Sequence, residues 1–305
     1  MPRKDPKKYL IRQANTMSFS RHNLNLIQKR IVYLVVSKIK PDDKDFREYT
    51  FTVQEVLKFI KLGTENHSVL HKTTEDILKK VCTLVTPEGE LLQFNYFSLV
   101  KYNPTNTEVT FHFDPVLKPY YLELKNNYTQ FQLEIVIGLK SIYSQKLYEI
   151  AKSIANKGDP SIRYSISEWR YLLFIDDNEY KLYAHLKANV FQIAQRELDE
   201  KTDIHIEFKE EKSGNKVKWL WMEVHKIENE EQRQAWIRQT KFNQLPKRVR
   251  ESLLQSSGAT EKSSLSDIAV NVEARKKAIA EAEEMGLFDK KPDIAVLNNE
   301  EANEE

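Results

Sequence analysis

The sequence predicts an α+β fold in which one module of helices and a β-hairpin occurs twice, followed by a largely disordered C-terminal tail. Three observations lead to this prediction. Signals for helix, strand, helix, helix and hairpin follow one another in the same order in two parts of the chain. Short segments of the first part are similar to segments of the second at a nearly constant offset. Beyond Ser256, Ser, Glu, Ala and Lys dominate the composition, which is typical of disorder.

The first module begins with apolar residues at helical spacing and continues with strand and turn signals. Its predicted elements are a helix at Leu24–Ile39, a strand at Tyr49–Val53, a helix at Gln54–Lys61, a longer helix at Ser68–Thr83 and extended runs at Leu91–Tyr102 and Glu108–Phe113. The turn sequence NPTN between the two extended runs indicates a hairpin. The longer helix is expected to bury Leu70, Thr74, Ile77, Leu78 and Val81.

The second module repeats this order. Its predicted elements are a helix at Leu139–Ala155, a strand at Arg163–Ile166, a helix at Ser167–Phe174, a longer helix at Glu179–Glu200 and a hairpin of Asp203–Lys209 and Lys216–Lys226. The segment FTVQE at 51–55 aligns with YSISE at 164–168 at an offset of 113, which also places Ile77 on Val190. The segment QKRIVYL at 28–34 matches QKLYEI at 145–150 at a slightly different offset. We therefore predict two tandem winged-helix domains, each a helix-turn-helix that carries a β-wing.

The domain boundaries follow from these modules. We expect a basic N-terminal arm at 1–17, winged-helix domains at 18–125 and 126–228, and a helical, then disordered and acidic tail at 229–305. Within the tail, Asn229–Phe242 is predicted to be a polar helix and Val272–Met285 a transient one.

Composition and charge narrow the class of protein. The single cysteine, Cys82, excludes an internal disulfide framework, and no apolar run reaches the roughly 18 residues of a membrane span, so we expect a cytoplasmic protein. The formal net charge of +2 conceals a segregation of charge. Residues 281–305 hold nine acidic residues against Lys290 and Lys291, so the rest of the chain carries +9. A basic body with an acidic end is typical of proteins that bind polyanions.

The outer face of the second long helix carries the main functional signal. A helix-turn-helix places its second helix in the major groove of DNA. The inner face is expected to consist of Leu182, Leu186, Val190, Ile193 and Ala194. The outer face has an acid-free line of side chains that can pair with base edges, namely His185, Asn189, Gln192 and Arg196, with Lys181 one turn earlier. The alternative interpretation is an ordinary solvated helix face.

Lysines of the wing and of the helix flanks are predicted to contact DNA phosphates. They are Lys187, Lys209, Lys212, Lys216 and Lys218 in the second module, and Lys72 and Lys79 in the first. Because Glu75 and Asp76 share the face of Lys72 and Lys79, we expect the first module to have a weaker role on DNA or a role in subunit contact. The hairpin lysines are equally suited to protect an edge strand from pairing with another chain.

Several longer segments resemble a known family, the iteron-binding replication initiators of theta-replicating plasmids. They lie within residues 17–226 and read SFSRHNLNLIQKRI, YTQF, SIYSQKLYEIAK, ISEWRYLLFI, EYKLYAHLKANV and AQRELDEKTDI. The resemblance implies two winged-helix domains, binding of directly repeated origin sequences as a monomer, repression of the protein's own promoter as a dimer, and recruitment of host initiation factors. Members of the family usually have a basic pair just after the position of Lys187, where this chain has Ala188 and Asn189. We therefore do not expect this chain to prefer the same bases as members of the family.

The sequence lacks the motifs of an enzyme. It has no GxxxxGK[ST] loop, no two histidines two residues apart, no GxSxG or HExxH motif and no Cys/His spacing of a zinc site. We therefore predict a non-enzymatic protein with no catalytic residue, metal or cofactor, and the family resemblance implies that it is bacterial and plasmid-encoded. Its expected partners are double-stranded DNA with direct repeats, a second copy of the chain in equilibrium with the monomer, and host initiation proteins.

Two other functions are compatible with the sequence. A two-domain transcriptional regulator would make the same contacts with DNA and have no role in replication. A scaffold for host replication proteins would act through the tail, where Met285-Gly286-Leu287-Phe288 has some likeness to sliding-clamp-binding peptides. Such peptides normally begin with glutamine, whereas this chain has Glu284.

Overall fold

A computed structural model of the chain describes residues 9–61, 63, 66–122, 124–259 and 265–289. The chain forms two compact units, Met1–Glu179 and Tyr180–Glu305, and their helices and strands follow the predicted order. Within the described ranges, no helix is both long and apolar enough to cross a membrane.

The first unit contains the first module, the connection between the modules and the first elements of the second module. Its described elements are β1 Leu10–Ala14, a 3-10 turn at Asn15–Phe19, β2 Arg21–His22, α1 Leu26–Val36, β3 Tyr49–Thr52, α2 Val53–Phe59, α3 His67–Leu78, β4 Cys82–Val85, β5 Leu91–Phe94, β6 Phe97–Tyr102, β7 Glu108–Phe113, a 3-10 turn at Pro115–Leu117, α4 Lys118–Tyr121, β8 Tyr128–Gln132, α5 Leu133–Gly138, α6 Ile142–Ile154, β9 Ser161–Ser165 and α7 Ile166–Leu172.

Helices α2 and α7 begin with the same capping chemistry. The side chains of Thr52 and Ser165 accept hydrogen bonds from the backbone N–H groups of Glu55 and Glu168. Each glutamate in turn accepts a hydrogen bond from the backbone N–H of its cap residue, which completes a capping box. These residues are the ones that the alignment of FTVQE with YSISE pairs, so the repeat seen in the sequence is a repeated capping box.

Strands β1 to β8 pair in antiparallel sheets with the orders β3-β7-β6, β2-β4-β5 and β1-β8. The predicted run Leu91–Tyr102 forms two strands of different sheets, because the chain turns at Asn95. The Asn95 side chain donates to the carbonyls of Leu78 and Lys80 at the end of α3. Helix α3 accordingly ends earlier than predicted, and the prediction that Val81 is buried is wrong, since its side chain is 49% exposed.

Part of the predicted N-terminal arm is a strand. Residues 10–14 form β1, which pairs with β8 from Leu10 opposite Gln132 to Ala14 opposite Tyr128. Ile11 is fully buried, so this segment contributes to the core of the unit. Residues 1–8 of the arm lie outside the described residues.

Four ionisable side chains, which we call the ionic cluster, are buried between α1, α6 and the neighbouring strand. They are His22, Lys29, Lys146 and Glu149, and none is more than 7% exposed. Lys29 Nζ lies 3.1 Å from Glu149 Oε1 and 3.0 Å from His22 Nε2, and Lys146 donates to the Ser20 carbonyl. Lys29 and Lys146 occupy matched positions of QKRIVYL and QKLYEI, so the cluster joins the first helices of the two modules.

The second unit contains the rest of the second module and a C-terminal extension of three helices. Its described elements are α8 Tyr183–Leu186, a π-helical turn at Lys187–Phe191, α9 Gln192–Lys201, β10 Ile204–Ser213, β11 Lys216–Lys226, α10 Glu230–Asn243, α11 Lys247–Ser256 and α12 Leu265–Glu284. The long helix begins at Tyr183 rather than at Glu179, because Leu182 has an extended backbone with ψ of 137°. Leu182 is therefore 53% exposed, and its predicted burial is wrong.

The extension is more ordered than the tail that the sequence predicted. In place of a transient helix near Val272–Met285, the structure has the 20-residue helix α12. Ala278 and Ala282 of this helix form a buried cluster with Phe242 and Leu253. Burial of apolar faces of this kind stabilises helices whose sequences alone favour disorder. The predictions for residues 260–264 and 290–305 lie outside the described residues.

Candidate nucleic-acid interface

The predicted DNA-reading helix consists of α8, the π-helical turn and α9, and we call this segment, Tyr183–Lys201, the reading helix. Val190 and Phe191 of the π-helical turn are buried, and the Phe191 ring packs against Phe208 at a centroid distance of 4.8 Å. A π-helical turn contains more residues than an α-helical one, so the side chains that follow it are rotated relative to a regular helix. The prediction of one continuous outer face assumed a regular helix without such a turn, and it stays a prediction.

The most accessible of the predicted base-reading side chains are Lys181, two residues before the reading helix, and Asn189, in its π-helical turn. Lys181 and Asn189 are exposed, whereas His185 is half-buried. The Asn189 side chain lies along the helix and donates to the His185 carbonyl at 2.8 Å. No acidic residue occurs between Tyr180 and Arg196, so nothing in this segment repels a phosphate or a base acceptor.

The C-terminal part of the reading helix is engaged with α10 and the residue after it. Arg196 Nη1 donates to Gln244 Oε1 at 2.6 Å, and Gln244 Nε2 donates to the Gln192 carbonyl at 3.2 Å. Burial lowers the pKa of Arg196 from its ordinary value, although the guanidinium stays charged at neutral pH. The structure thus groups Gln192 and Arg196 with the extension, not with Lys181 and Asn189. The base-reading role of the five residues stays a prediction.

Three of the predicted phosphate-binding lysines form surface ion pairs. Lys187 lies 2.7 Å from Glu210, Lys209 lies 2.7 Å from Glu223, and Lys79 pairs with Glu75. Water screens such pairs, so they contribute little to stability. A phosphate can therefore replace the carboxylate at a small cost, and these lysines stay candidates for contact with the DNA backbone.

The other predicted lysines have exposed side chains. Lys212, Lys216 and Lys218 surround the tip of the β10–β11 hairpin, and Lys72 lies on α3. The hairpin turns at Gly214, whose φ of +63° is strained for residues with a Cβ atom. Lys218 Nζ lies 4.5 Å from the centroid of the Trp219 ring. The tip of the second wing is therefore cationic, as expected for a surface that contacts DNA phosphates.

A groove of about 320 Å³ lies between the reading helix, the hairpin and the turn from α10 to α11. Its wall carries amide and cationic groups from Gln192, Gln244 and Arg250, and also the carboxylates of Glu207 and Glu210. The two carboxylates repel phosphate, so we do not assign the groove to the DNA backbone.

One group of residues has the composition of a metal site. The ligand atoms of Glu207, Glu223 and His225 all lie within 4.8 Å of one another. Glu207 and Glu223 are opposite each other on β10 and β11, an arrangement that is unfavourable for like charges. Lys209 Nζ contacts both oxygens of Glu223 at 2.7 Å and so supplies the balancing charge. We therefore interpret the group as an ion-paired face of the sheet and assign no metal to it.

The residues of the extension that contact the reading helix were missed from the sequence. Gln244, Arg233 and Thr240 all follow the second module, where no motif marked them. The signal that could have found them is Trp236, a large aromatic residue in an otherwise polar helix. Such a residue indicates a face that packs against something.

Comparison with known proteins gives two family matches and similar solved structures. Residues 10–152 match the family described as "Initiator Replication protein, WH1", and residues 165–223 match "Initiator Rep protein, WH2". The chain is similar to the Pi initiator protein, which was crystallised in complex with iteron DNA. The identity is 21%, the TM-score is 0.59, and the alignment covers 73% of this chain and 99% of that one. Domains 2 and 3 of RctB align at 12% identity and a TM-score of 0.40, over 73% of this chain and 93% of theirs. The prediction of two tandem winged-helix modules is confirmed.

Proposed function

Because the chain belongs to the initiator replication protein family, whose members are DNA-binding proteins, we propose that it initiates plasmid replication by binding directly repeated origin sequences through its reading helix. The observation that carries the proposal is the acid-free segment 181–195, in which Lys181, just before the reading helix, and Asn189, in its π-helical turn, are exposed. Asparagine can pair with the edge of adenine through two hydrogen bonds, and lysine can donate to guanine. The lysine-rich tip of the second wing supplies contacts with the phosphates on either side.

A similar protein was crystallised with DNA of the proposed kind. The Pi initiator protein, which shares the fold, was crystallised with iteron DNA. The positive charge of the chain outside its acidic end supports binding of a polyanion of this type. We place base reading on the reading helix and phosphate contact on Lys212, Lys216 and Lys218.

The experiment is fluorescence anisotropy of the full-length protein with direct repeats found beside its gene and with scrambled DNA, over a series of salt concentrations. We expect tighter binding to the repeats. Asn189→Ala lowers that preference by about 5- to 150-fold if one bidentate contact of about 1–3 kcal/mol is lost. Asn23→Ala, which removes an exposed asparagine near the start of α1, is the matched control.

The wing is tested in the same assay. Lys216→Ala weakens binding to repeats and scrambled DNA by the same factor and reduces the slope of log K against log salt by about one unit. Equal binding of the wild-type protein to both DNAs would contradict the proposal, because only the non-specific charge would then remain.

The proposal includes a homodimer that represses the protein's own promoter. It is supported by β5, which lies at an edge of the sheet β2-β4-β5. Val85 and Leu91 are cross-strand partners there, and they are 57% and 62% exposed. An edge strand with an exposed apolar pair is a surface on which a second copy can add its own strand.

Sedimentation analysis of Leu91→Lys tests the dimer. We expect a shift toward monomer and loss of repression of the protein's promoter, with binding to the repeats retained. Leu99→Lys is the control, since Leu99 is also exposed on an edge strand, β6, of the other three-stranded sheet of this unit. A dimer that is unchanged by Leu91→Lys would remove β5 from the proposal.

Recruitment of host initiation proteins is the last part of the proposal, and its surface is not assigned. The peptide with likeness to a clamp-binding motif is a poor candidate, because Leu287 and Phe288 pack against the buried cluster of the extension. Plasmid maintenance separates an initiator from a regulator alone. Deletion of the gene abolishes maintenance in the first case and changes only transcription in the second.

A further inference from the structure

Helix α10 lies outside both family matches, which end at residue 223, yet it makes specific hydrogen bonds with the reading helix. Gln244, the residue just after α10, contacts the reading helix twice. It accepts from Arg196 and donates to the Gln192 carbonyl. Both partners belong to the part of the reading helix that follows the π-helical turn.

A second set of contacts fixes the end of the reading helix. Arg233 Nη1 donates to the carbonyls of Asp199 and Thr202, each at 2.7 Å. Carbonyls at the C-terminal end of a helix lack partners within the helix, and a cation there also interacts favourably with the helix dipole. Arg233 therefore acts as a C-terminal cap that comes from a different helix.

A third set of contacts is fully buried, and we call it the aspartate cluster. Asp199 Oδ2 accepts from the Thr240 hydroxyl at 2.6 Å, and Asp199 Oδ1 lies 2.7 Å from His205 Nδ1. Trp236 stacks on the His205 ring at 3.9 Å with an interplanar angle of 9°. Asp199, Thr240 and His205 are at most 2% exposed. Hydrogen bonds to a buried charge are strong and directional, so this cluster fixes both distance and angle between α9 and α10.

These contacts divide the reading helix into two parts. Asn189, in the π-helical turn, and Lys181, just before the helix, are exposed, whereas the part after the turn is held by α10 and Gln244. From this division we infer that α10 is a positioning element for DNA recognition, in which Arg196 and Gln192 anchor the reading helix through Gln244 and do not contact bases. The inference rests on the proposed function. Its physical basis is that a bidentate contact with a base tolerates only small errors in position and angle, so a loosened anchor weakens every base contact on the helix.

The test is a double-mutant cycle on the full-length protein, with the ratio of affinities for direct repeats and scrambled DNA as the readout. We expect Arg196→Ala and Gln244→Met each to lower this ratio at least about fivefold, and the double variant to lower it no further. Substitutions of two residues that act through one contact have effects that do not add, whereas the effects of independent substitutions do. If Arg196 reads a base, Gln244→Met leaves the ratio unchanged and the two effects add, which overturns the inference.

A conservative variant separates positioning from general damage to the fold. Gln244→Glu keeps an acceptor for Arg196 and is expected to restore the ratio. The added negative charge acts equally on both DNAs, so it cancels in the ratio. The salt dependence stays at the wild-type value in all variants at position 244, because no phosphate contact is removed. Failure of Gln244→Glu to restore the ratio, with the thermal unfolding midpoint unchanged, also contradicts the inference.

The outcome for Asn189→Ala distinguishes this inference from the proposed function. If the wild-type protein shows no preference for repeats, the proposed function fails. If the preference exists and is lost in Asn189→Ala but kept in Gln244→Met, the function stands and only the positioning role of α10 is wrong.

Discussion

The two units each contain a buried polar cluster, and the two clusters differ in what they connect. The ionic cluster of the first unit joins α1 to α6, the first helices of the two modules. The aspartate cluster of the second unit joins the reading helix to α10. Both helices of the ionic cluster lie within the family matches, whereas α10 lies beyond them.

This difference indicates which contacts are made by the segments that resemble the family. Lys29, Lys146 and Glu149 belong to QKRI and QKLYE, which are among the segments through which the chain resembles its family. In the structure these residues are buried, so here the resemblance reflects packing of the modules and not contact with DNA. The hydrogen bonds of α10 with the reading helix, in contrast, come from residues beyond the family matches.

The largest effect is expected from Glu149→Ala in the ionic cluster. Removal of the carboxylate leaves Lys29 buried without its ion-pair partner, which destabilises a protein by about 3–5 kcal/mol. Urea unfolding, followed by a probe in the first unit, measures the loss. Lys79→Ala is the control, because it removes an exposed ion pair and is expected to leave stability unchanged. Equal stability of Glu149→Ala and wild type would show that the cluster is not a charged network.

Asp199→Ala is expected to have the next largest effect. The substitution removes the carboxylate that accepts from Thr240 and contacts His205. Because hydrogen bonds to a charged group contribute about 1.5–3 kcal/mol, the free energy of unfolding is expected to fall by that amount. Unlike Glu149→Ala, it is also expected to lower the preference for direct repeats at temperatures where the protein is folded, because α10 no longer holds the reading helix. Glu200→Gln, at an exposed neighbouring position, is the control for both readouts. A loss of stability with full preference for the repeats would mean that the cluster has no role in recognition.

The comparison also shows how far the sequence could predict the molecule. The order of elements and the repeat at Thr52–Glu55 and Ser165–Glu168 follow from local periodicity and capping, which depend on neighbours in the sequence. The cationic wing followed from the turn at Gly214 and its flanking lysines. These features need no knowledge of long-range packing.

The parts that could not be predicted depend on contacts between distant residues. The π-helical turn at Lys187–Phe191 leaves no signature in composition, and the sequence pattern predicted a regular helix there. The contact between Arg196 and Gln244 joins residues that are 48 positions apart in the sequence, with the β10–β11 hairpin between them. Periodicity cannot reveal a partner of that kind.

An effect of pH on stability is also expected, and the ionic cluster contributes to it. Burial, and also the nearby positive charges of Lys29 and Lys146, hold the pKa of His22 well below its ordinary value. Burial also lowers the pKa of Lys146 to about 7. The other titratable groups around the cluster are Glu149, Cys82, Tyr33, Tyr96 and Tyr121.

The direction of the pH effect follows from proton uptake. Below a pH of about 6.5 the unfolded chain protonates His22 while the folded chain does not, so stability falls as the pH falls. Between pH values of about 7 and 10.5 the unfolded chain keeps the proton that folded Lys146 loses, so stability rises with pH. Each differing proton changes the free energy of unfolding by about 1.4 kcal/mol per pH unit. Urea unfolding at pH 5.5, 7 and 8.5 measures this, and His22→Gln should flatten the lower part of the curve, whereas His67→Gln should not.

The smallest effect, and the sharpest test of the second cluster, is expected from Thr240→Val. The substitution keeps the shape of the side chain and removes only the hydrogen bond to Asp199, at a cost of about 1 kcal/mol in the free energy of unfolding. Thermal unfolding, followed by the fluorescence of tryptophan, measures it, and Thr240→Ser should retain wild-type stability because the hydroxyl is kept. If Thr240→Val unfolds at the wild-type midpoint, Asp199 is held by His205 within the second module alone. The aspartate cluster would then lie within the second module, and the contact of α10 with the reading helix would depend on Gln244 and Arg233.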